Sequence, residues 1–518
     1  MTTLRDVIDW HAAAQPDAPF LFAPEPGTEL TYAGLRATAR LLCAELAARG
    51  IRPGEVVSYM LPNGMAAAGV FLGAMYGGYV VSPVSLLAQD ALIEHTLAHS
   101  ATRIVFAAPE FVPRLEAIVA RIGSRAIVRP ASPDDLALSA GMAAEPTVAL
   151  ASAAPAMLMY TSGTTGTPKG ALLSHDNLVH AGRSVVAAHE LTRADRVLSS
   201  LPLYHVNGQC IATISPLVAG GSIVMPHRFS VSQWWPLVEQ YRPTWLNIVP
   251  TIIAYLLNGP DLTPAQAEAC RRIRFARSAS APLPPEHHRA FEARFGISVL
   301  EGMGLTECAS VAFANPLDRG ARKVGSPGRP VGMAARVVAP DGAELGTGER
   351  GEIELRGDNV MTGYHRDPEA TARTLRPGGW LATGDLGYRD GDGFYFITGR
   401  LKELIIKGGE NIAPREIDEA LLQHPAVLEA AAVGIPDREY GQEILACVVL
   451  KPGAACAEAE LRAHCLTTLG RYKTPKVFRF LAELPKGPSG KVQRLKLAAA
   501  GGADAANGGD ETAGKDGR

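Results

Sequence analysis

The sequence predicts an α/β fold: a large N-terminal domain of layered sheets and helices, a β-rich subdomain, and a small α+β domain at the C-terminal end. Three observations support this prediction. Helical and strand patterns alternate up to residue 278, which is typical of sheets covered by helices. Turn pairs and short strands replace this alternation from residue 325 onward. The length of 518 residues also exceeds what one hydrophobic core normally holds.

The N-terminal elements are predicted from apolar runs of two lengths. Residues 31–49 carry apolar side chains at helical spacing, and Gly50 is placed to end the helix. Residues 55–61 and 102–107 are short apolar runs, typical of buried strands. This alternation indicates a layered architecture with parallel sheets.

One uncharged segment, residues 62–89, is long enough to span a bilayer. It contains the pair Gly77-Gly78 and Pro83, and a helix-like run in it is followed by a β-rich one. A buried helix leading into a buried strand explains these features better than a membrane span does.

The middle of the chain continues the alternation. Residues 154–159 predict a buried strand that opens into a loop at Tyr160. A strand at residues 196–203 ends at Tyr204 and His205, and an apolar helix leads from there to Gly220. Strands are then predicted at residues 222–225, 244–249 and 274–278, and a helix around residues 234–240.

The sequence pattern changes after residue 325. Turn pairs separate short strands such as Gly351–Arg356: Asp341-Gly342, Gly378-Gly379 and Asp392-Gly393. Residues 403–500 then predict helices at 414–422 and 458–469 and strands at 430–434 and 443–450. This mixture indicates a small α+β domain. The Gly-, Ala- and Asp-rich tail at residues 501–518 is expected to be disordered.

Composition excludes several function classes. The net charge is −2 with no basic block, so no nucleic-acid partner is expected. The seven cysteines are scattered and never spaced as CxxC, which indicates a reducing compartment and argues against a zinc site. Residues 1–19 mix charged and apolar side chains at helical spacing, unlike a signal peptide. We therefore expect a cytoplasmic protein without a membrane partner.

Residues 160–170 read YTSGTTGTPKG, and the rest of the chain is organised around this stretch. Its glycines let the backbone approach a ligand closely. Backbone N–H groups and threonine hydroxyls can surround an anion, with Lys169 as a point charge, so a triphosphate is the expected guest. The spacing differs from a Walker A motif. Taken alone, such a stretch could equally be a flexible surface loop.

Four later motifs remove that ambiguity: EGMGLTE at residues 301–307, TGD at 383–385, GRLKELIIKGGENIAP at 399–414 and PKGPSGKVQR at 485–494. In this order and spacing, the five motifs resemble the adenylate-forming superfamily of acyl-CoA synthetases, peptide-synthetase adenylation domains and luciferases. The resemblance covers residues 5–497. It implies an ATP-dependent acid–CoA ligase that forms an acyl-adenylate and pyrophosphate, and then transfers the acyl group to the thiol of coenzyme A.

The resemblance implies roles for the phosphate-binding residues. Thr161 to Lys169 would hold the β- and γ-phosphates, through Thr161, Ser162, Gly163, Thr164, Thr165, Gly166, Thr167 and Lys169. The second motif would contact the nucleotide through Glu301, Gly302, Met303 and Gly304. Thr306 would offer a hydroxyl to phosphate, and Glu307 would bind Mg²⁺, a hard cation that prefers oxygen. Taken alone, Thr306 and Glu307 could be a helix cap.

The remaining nucleotide roles fall near the C-terminal end. By resemblance, Asp385 would hold the ribose hydroxyls with Arg400 nearby, and Lys491 would bridge the carboxylate and the α-phosphate in the transition state. Taken alone, Lys491 could be a solvated surface lysine.

The family's small C-terminal domain rotates between the two half-reactions. The implied boundaries are residues 1–399 for the N-terminal adenylation domain, 400–402 for the hinge with its pivot at Lys402, and 403–500 for the mobile domain. After rotation, Lys407, Gly408 and Gly409 would help to form the pantetheine tunnel. His205 matches the aromatic gate beside the acyl pocket, although a satisfied core histidine is the alternative.

Arg277 is the main pointer to the acid. It directly precedes a turn, Ser278 to Leu283, that resembles a turn of the coumarate ligases, where an apolar residue in the position of Arg277 lines the acyl pocket. A buried arginine needs a partner. The partner would be a second anionic group on the acid, held by the guanidinium fork. A salt bridge to a core carboxylate, or a side chain reaching for solvent, explains the residue equally well.

The chain is also similar to the oxalate–CoA ligase branch, with one departure. Where those enzymes have a histidine shortly after the Thr-Glu pair, this chain has Ser310. We therefore expect a small dianion other than oxalate, such as sulfoacetate or malonate, with sulfoacetate preferred. The alternatives are a neutral-tailed aliphatic or aromatic acid, a carrier protein in place of coenzyme A, a luciferase-type oxidation, and a non-catalytic nucleotide-binding paralogue.

Overall fold

The computed structural model describes residues 2–138, 148–161, 168–486 and 492–507, the last seven by backbone only. Two compact units are present. Unit 1 comprises Met1–Arg336 and Glu354–Thr383, and unit 2 comprises Val337–Ile353 and Gly384–Arg518.

This division falls earlier in the chain than the domain boundary predicted after residue 399. The reason is local hydrogen bonding within unit 2: the Gly384 N–H donates to Glu352 Oε1 over 2.9 Å, and the Gly348 N–H donates to the Arg389 carbonyl over 2.8 Å. These bonds join residues 384–389 to residues 337–353. The hinge at residues 400–402 stays a prediction.

A seven-stranded sheet in unit 1 contains the strand that leads into the predicted phosphate loop. The strand order is β18 (Gly363–Tyr364), β8 (Lys169–Ser174), β7 (Pro155–Thr161), β4 (Val80–Pro83), β3 (Val56–Met60), β5 (Ile104–Ala107) and β6 (Ile127–Pro130). The strands from β7 to β6 in this order pair in parallel, whereas β7 and β8 form an antiparallel pair. The helices in this part are α1 (Leu4–Ala14), α2 (Tyr32–Ala48), α3 (Met65–Gly77), α4 (Asp90–Ser100), α5 (Val112–Arg121) and α6 (His175–His189).

The second sheet of unit 1 has nine strands. Its order is β15 (Arg329–Pro330), β14 (Phe313–Ala314), β13 (Val299–Met303), β12 (Phe275–Ser278), β11 (Trp245–Ile248), β9 (Arg196–Leu198), β10 (Ser222–Val224), β1 (Pro19–Ala23) and β2 (Thr28–Thr31). The strands from β13 to β1 run parallel. The helices here are α7 (Ser215–Ala219), α8 (Val231–Tyr241), α9 (Pro250–Leu257), α10 (Pro264–Cys270) and α11 (Pro285–Phe295). An apolar core that includes Trp234, Trp235 and Phe291 packs between these helices and the sheet.

Two five-stranded sheets complete the fold. The first has the order β16 (Ala334–Val338), β17 (Gly351–Arg356), β20 (Trp380–Arg389) and β19 (Leu375–Arg376), with β21 (Tyr395–Arg400) paired to β20 and α12 (Pro368–Thr374) nearby in sequence. The second, in unit 2, has the order β23 (Glu410–Ile412), β22 (Ile405–Lys407), β25 (Gly441–Leu450) and β24 (Val427–Asp437), with β26 (Val477–Phe480) paired to β25. The helices α13 (Pro414–Leu422), α14 (Glu458–Lys473) and α15 (Arg494–Asn507) belong to unit 2. The predicted α/β class with a smaller α+β region is confirmed.

The uncharged segment forms the predicted buried helix and buried strand. In α3, every residue after Met65 is buried, and all four residues of β4 are buried. Glycines at positions 69 and 73 let α2 approach closely, because added Cβ atoms would lie 3.2 Å from Thr38 and 3.0 Å from Leu42. Within the described ranges, no helix is both long enough and apolar enough to cross a membrane.

Two predicted elements differ from the structure. The strand expected at residues 196–203 ends at Leu198, and the apolar helix expected after His205 begins with a π-helical segment, Asn207–Ile214, before α7. Wide helical turns of this kind are frequent at functional sites. At the C-terminal end, α15 continues to Asn507, past residue 501 where the disordered tail was expected. The remaining tail, 508–518, lies outside the described residues.

Candidate active site

The predicted acid-binding residues lie at the carboxyl end of the nine-stranded sheet. Arg277 and Ser278 end β12, and Gly302 lies near the end of the neighbouring β13. His205 lies between β9 and the π-helical segment that begins at Asn207. Ligands of open α/β sheets bind outside the carboxyl ends of the strands. The structure therefore brings these residues to the edge where a ligand is expected.

The Arg277 side chain is 1% exposed and carries a charge that no described carboxylate neutralises. Its Nη1 donates a long hydrogen bond of 3.5 Å to Asn207 Oδ1. Its Nε and Nη2 have no hydrogen-bond partner in the described part of the chain. Burial lowers the pKa of Arg277 to about 10, which leaves the guanidinium charged at neutral pH. The salt bridge to a core carboxylate, considered from sequence, is absent among the described residues.

The unpartnered nitrogens share one edge of the guanidinium. Nε and Nη2 form the edge that can hold two oxygens of a carboxylate or sulfonate side by side. Gly302 lies beside this edge, because a Cβ at position 302 would approach Nη2 to 3.1 Å. A side chain at position 302 would therefore crowd this edge of the guanidinium.

An amide network that the sequence analysis missed holds the other edge. Asn207 Oδ1 accepts from Asn247 Nδ2 over 3.1 Å as well as from Arg277, and Asn207 Nδ2 donates to Ser280 Oγ over 2.9 Å. Asn247 and Arg277 are Cα partners on adjacent parallel strands, so their side chains share one face of the sheet. The position of Asn207, two residues after the predicted gate His205, was the available sequence signal.

His205 is half-buried and packs at the start of the π-helical segment. Its backbone N–H donates to the Pro202 carbonyl over 3.0 Å, and its Nδ1 accepts from the Asn207 N–H over 3.4 Å. Burial lowers the pKa of His205 to about 4, so the imidazole is neutral at physiological pH. A neutral ring can line an acyl pocket without adding charge.

Ser278 and Ser310, the other two predicted acid-binding residues, are both buried. The Ser278 hydroxyl has no hydrogen-bond partner among the residues described. Ser310 adopts a left-handed φ of 70°, and its N–H donates to the Leu305 carbonyl over 2.9 Å. Only glycine fits at position 304, because a Cβ there would lie 2.1 Å from the Ser310 carbonyl oxygen.

Glu301 and Met303 have structural partners in the strand β13. The Glu301 carboxylate accepts from the Gly325 N–H over 2.8 Å and lies 3.1 Å from Nδ1 of His288. Met303 is the Cα partner of Phe313 across an antiparallel pair. The protein thus engages the Glu301 side chain, and the Glu301 backbone carbonyl also accepts from the Asn315 N–H over 3.0 Å.

Glu307, the predicted magnesium ligand, belongs to a short 3₁₀ segment, Thr306–Cys308. Its Oε1 accepts a 2.8 Å hydrogen bond from the hydroxyl of Tyr364, a residue that the sequence analysis missed. The Lys169 ammonium lies 5.2 Å from the centre of the Tyr364 ring. Burial, followed by the nearby Glu307 charge, raises the pKa of Tyr364, which keeps its hydroxyl a donor. Tyr364 thereby links the predicted phosphate-binding lysine to the predicted metal-binding carboxylate.

The two ends of the predicted phosphate loop are the ends of an antiparallel pair. Thr161 ends β7 and Lys169 begins β8, and they are Cα partners. The other predicted loop residues, Ser162, Gly163, Thr164, Thr165, Gly166 and Thr167, lie outside the described residues.

In unit 2, the predicted ribose-binding pair is in direct contact. Asp385 is 2% exposed, its Oδ1 lies 2.7 Å from Arg400 Nε, and the two residues are Cα partners on β20 and β21. Lys402 is exposed in the turn that follows β21. The arrangement holds the Asp385 carboxylate in one orientation, as a bidentate contact with two hydroxyls requires.

Lys407 is buried against a cavity of unit 2. Its Nζ lies 2.6 Å from Glu443 Oε1 and donates to the Tyr472 carbonyl over 3.0 Å. Gly408 and Gly409 follow with φ of 54° and 85°, which favour glycine. The cavity measures about 1030 Å³, and its lining includes Tyr440, Tyr472, Arg462, Arg471 and Lys476. Aromatic rings with cationic side chains suit a phosphorylated nucleotide such as that of coenzyme A.

Lys491, the predicted catalytic lysine, lies outside the described residues, but its flanks are anchored. Lys486 and Val492 form an antiparallel bridge, and the Gln493 N–H donates to the Pro485 carbonyl over 2.8 Å. Arg494 pairs with the buried Asp418 and donates to the Ala432 carbonyl over 2.8 Å.

One group of potential metal ligands was not predicted. His424, Cys456 and Glu460, in unit 2, place one ligand atom each within 4.8 Å of the others. Glu460 is exposed and already accepts from the Ala457 N–H over 3.1 Å. We assign no metal to this group.

Known proteins resemble this chain in both sequence and fold. The sequence model of the AMP-binding enzyme family matches residues 8–365, and that of the AMP-binding enzyme C-terminal domain matches residues 416–491. A sulfoacetate–CoA ligase of Cupriavidus necator is 55% identical over 499 residues, covering 96% of this chain and 97% of the relative. An oxalate–CoA ligase of Arabidopsis thaliana is 34% identical over 490 residues, covering 90% and 93%. The crystal structure of ATP-bound MatB from Rhodopseudomonas palustris has a TM-score of 0.88 at 33% identity, covering 96% of this chain and 98% of that one.

Proposed function

Because the chain belongs to the AMP-binding enzyme family and is an ATP-dependent, AMP-forming acid–CoA ligase, we propose that its acid is sulfoacetate. Such ligases use ATP, Mg²⁺ and coenzyme A. The carboxylate attacks the α-phosphate and releases pyrophosphate, and the thiol then displaces AMP. The first step brings anions together, so clamping by cations dominates its catalysis.

The unpartnered edge of Arg277 is the observation that carries this proposal. A buried charge without a partner costs several kcal/mol, and an anion on the bound acid offsets that cost. Sulfoacetate offers its carboxylate to ATP and its sulfonate to Arg277. A neutral-tailed acid would leave the guanidinium unpaired, so the geometry disfavours that alternative. Ser310, in place of the histidine of the oxalate ligases, and the sulfoacetate–CoA ligase at 55% identity favour sulfonate over oxalate.

The predicted site residues receive their roles as part of this proposal. Thr161, Lys169 and the loop between them bind the β- and γ-phosphates, and Glu307 holds Mg²⁺ with Tyr364 as its hydrogen-bond donor. Asp385 and Arg400 hold the ribose, with Thr306 and the backbone of residues 301–304 also contacting the nucleotide. Lys491 stabilises the transition state of adenylation, and the cavity beside Lys407 receives coenzyme A.

The domain prediction also becomes part of the proposal. Residues 400–402 act as the hinge, and residues 403–500 rotate to present Lys491 in one half-reaction and the Lys407 to Gly409 face in the other. A cytoplasmic location is supported by the seven cysteines, which are all free.

AMP release that depends on both ATP and coenzyme A, measured across a panel of acids, tests the substrate. The panel contains sulfoacetate, oxalate, malonate, acetate, hexanoate and 4-coumarate. We expect sulfoacetate to be preferred. Arg277→Met should lower kcat/KM for sulfoacetate by about 10²- to 10³-fold, the usual loss when one partner of a buried charge pair is removed. Arg277→Lys keeps the charge without the two-nitrogen edge. Its kcat/KM for sulfoacetate should lie between that of the wild type and that of Arg277→Met.

The matched control is Arg272→Met, because Arg272 is exposed and lies three residues before the same strand. It should leave the preference unchanged. A preference for a neutral-tailed acid that survives Arg277→Met would make Arg277 structural and would overturn the sulfoacetate proposal, while the ligase assignment would stand.

A further inference from the structure

We propose that His95 and His99, one turn apart on α4, are positioning residues that hold both ends of the loop binding the triphosphate. This inference rests on the proposed role of Thr161 to Lys169. It adds two residues, more than sixty positions upstream of the loop, whose effect should be confined to one of the two half-reactions.

Each histidine contacts one end of the loop. His95 Nε2 donates to the Pro168 carbonyl over 2.9 Å, since a carbonyl oxygen can only accept. His99 Nδ1 shares a 2.8 Å hydrogen bond with the Tyr160 hydroxyl. Tyr160 directly precedes Thr161, and Pro168 directly precedes Lys169. A single helix therefore fixes the places where the chain enters and leaves the loop.

The two histidines are themselves held in one arrangement. Their rings stack at 5.2 Å with an interplanar angle of 18°. Tyr160 meets both rings edge-on, at 5.9 Å from His95 and 5.8 Å from His99. His365 meets the His99 ring edge-on at 5.4 Å, and its backbone N–H donates to the Gly170 carbonyl over 2.7 Å. These contacts connect α4 to both strands of the antiparallel pair.

The surroundings of this cluster favour a neutral His99 ring. Burial, then His95 and Arg366, lower the pKa of His99, while Asp367 opposes this shift. A cavity of about 270 Å³ adjoins the cluster, and Lys169, Arg373 and Asp367 line it together with the histidines. A neutral His99 adds no repulsion beside Lys169, which leaves the charge of Lys169 available to phosphate oxygens.

The two half-reactions differ in their need for this loop. Adenylation needs the β- and γ-phosphates to be held so that pyrophosphate leaves in line with the attacking carboxylate. Thioester formation starts from an acyl-adenylate, which has no β- or γ-phosphate. Weakening either contact should therefore impair adenylation and leave thioester formation intact, a pattern that general loss of folding cannot produce.

The test measures the two half-reactions separately in His95→Ala, His95→Gln and His99→Phe. In ATP–pyrophosphate exchange, we expect His95→Ala to raise the KM for ATP by about three- to ten-fold, the effect of losing one hydrogen bond. His95→Gln keeps an N–H donor and should stay near wild type. His99→Phe keeps the ring and loses the Tyr160 contact, so it should raise the same KM. Coenzyme A acylation from supplied acyl-adenylate should be unchanged in all three.

His180→Gln is the matched control, because His180 Nε2 makes a similar 2.8 Å bond to a carbonyl, that of Gly332, away from the loop. Lys169→Ala separates the two proposals. If Lys169→Ala raises the KM for ATP and His95→Ala does not, the positioning role is wrong and the loop assignment stands. If neither variant changes it, both are wrong. Equal loss of both half-reactions in His95→Ala would also overturn the positioning role.

Discussion

At the residue scale, Gly302 lets the backbone lie close to the Arg277 guanidinium because it has no side chain. A Cβ at this position would lie 3.1 Å from Arg277 Nη2 and also 3.1 Å from the Phe313 carbonyl oxygen. The guanidinium is fully enclosed and cannot retreat freely. A methyl group would therefore displace the edge that we propose binds the sulfonate.

We predict that Gly302→Ala raises the KM for sulfoacetate by about ten-fold, which corresponds to the lower part of the usual range for overpacking a buried site. The KM for ATP should rise less, because the proposed nucleotide contact at this position is with the backbone. Steady-state kinetics with each substrate varied in turn provides the measurement. Gly391→Ala is the control, since an added Cβ there meets nothing within 4 Å. An unchanged KM for sulfoacetate would remove Gly302 from the acid pocket.

The residue types in the sequence predicted the chemistry of the site better than they predicted which side chains contact each other. Arg277 was recognised from sequence because arginine is unusual before a turn of this kind. Its three possible partners, a substrate anion, a core carboxylate or solvent, stayed open until the structure showed the side chain buried with no described carboxylate paired with it. Asn207 and Tyr364 were missed because a lone asparagine or tyrosine in sequence looks the same whether it fills a core or orients a functional group.

At the scale of elements, the π-helical segment Asn207–Ile214 determines where Asn207 points. Gly208 allows this segment to pack closely against the backbone of residues 201 and 202, because a Cβ at position 208 would lie 2.4 Å from the Pro202 carbonyl oxygen and 2.7 Å from that of Leu201. Both contacts are to backbone, which cannot move aside as a flexible side chain can.

Gly208→Ala should therefore shift the segment and, with it, the Asn207 oxygen that holds Arg277. We expect a loss of about 1–3 kcal/mol in the free energy of unfolding, seen as a lower urea midpoint. The KM for sulfoacetate should also rise more than the KM for ATP. A variant with wild-type stability and an unchanged KM for the acid would show that the segment tolerates the methyl group and that Asn207 is placed by other contacts.

The long periodic elements were predicted well, and the irregular ones were not. The helix α2 ends at Ala48, with Gly50 at a left-handed φ of 71° as its glycine predicts. The segment after His205 was predicted as an ordinary helix because its apolar composition fits one, and nothing local in the sequence marks the wider π-helical turn. That turn depends on the close approach of Gly208 to residues 201 and 202, a contact made in three dimensions.

At the scale of the whole molecule, the two half-reactions place different demands on unit 1 and unit 2. The strongest expectation concerns Lys491, whose flanks are anchored through Arg494 to Asp418 and through Lys486 to Glu429. Lys491→Ala should abolish adenylation and spare thioester formation from supplied acyl-adenylate, because only the first step develops charge between the carboxylate and the α-phosphate. Assays of the separate half-reactions measure this, and an equal loss in both would contradict the assigned role.

The sequence by itself determined the family, the reaction and the α/β class. Its five motifs carry glycines, hydroxyls, carboxylates and lysines that suit ATP, and their order and spacing resemble the adenylate-forming superfamily. Alternating apolar runs indicate layered sheets. Only the tertiary structure decided that the Nε–Nη2 edge of Arg277 has no hydrogen-bond partner among the described residues, that Asn207 holds its other edge, and that His95 and His99 contact Pro168 and Tyr160. These contacts join residues 61 to 73 positions apart, and a local pattern cannot encode which distant side chains will meet.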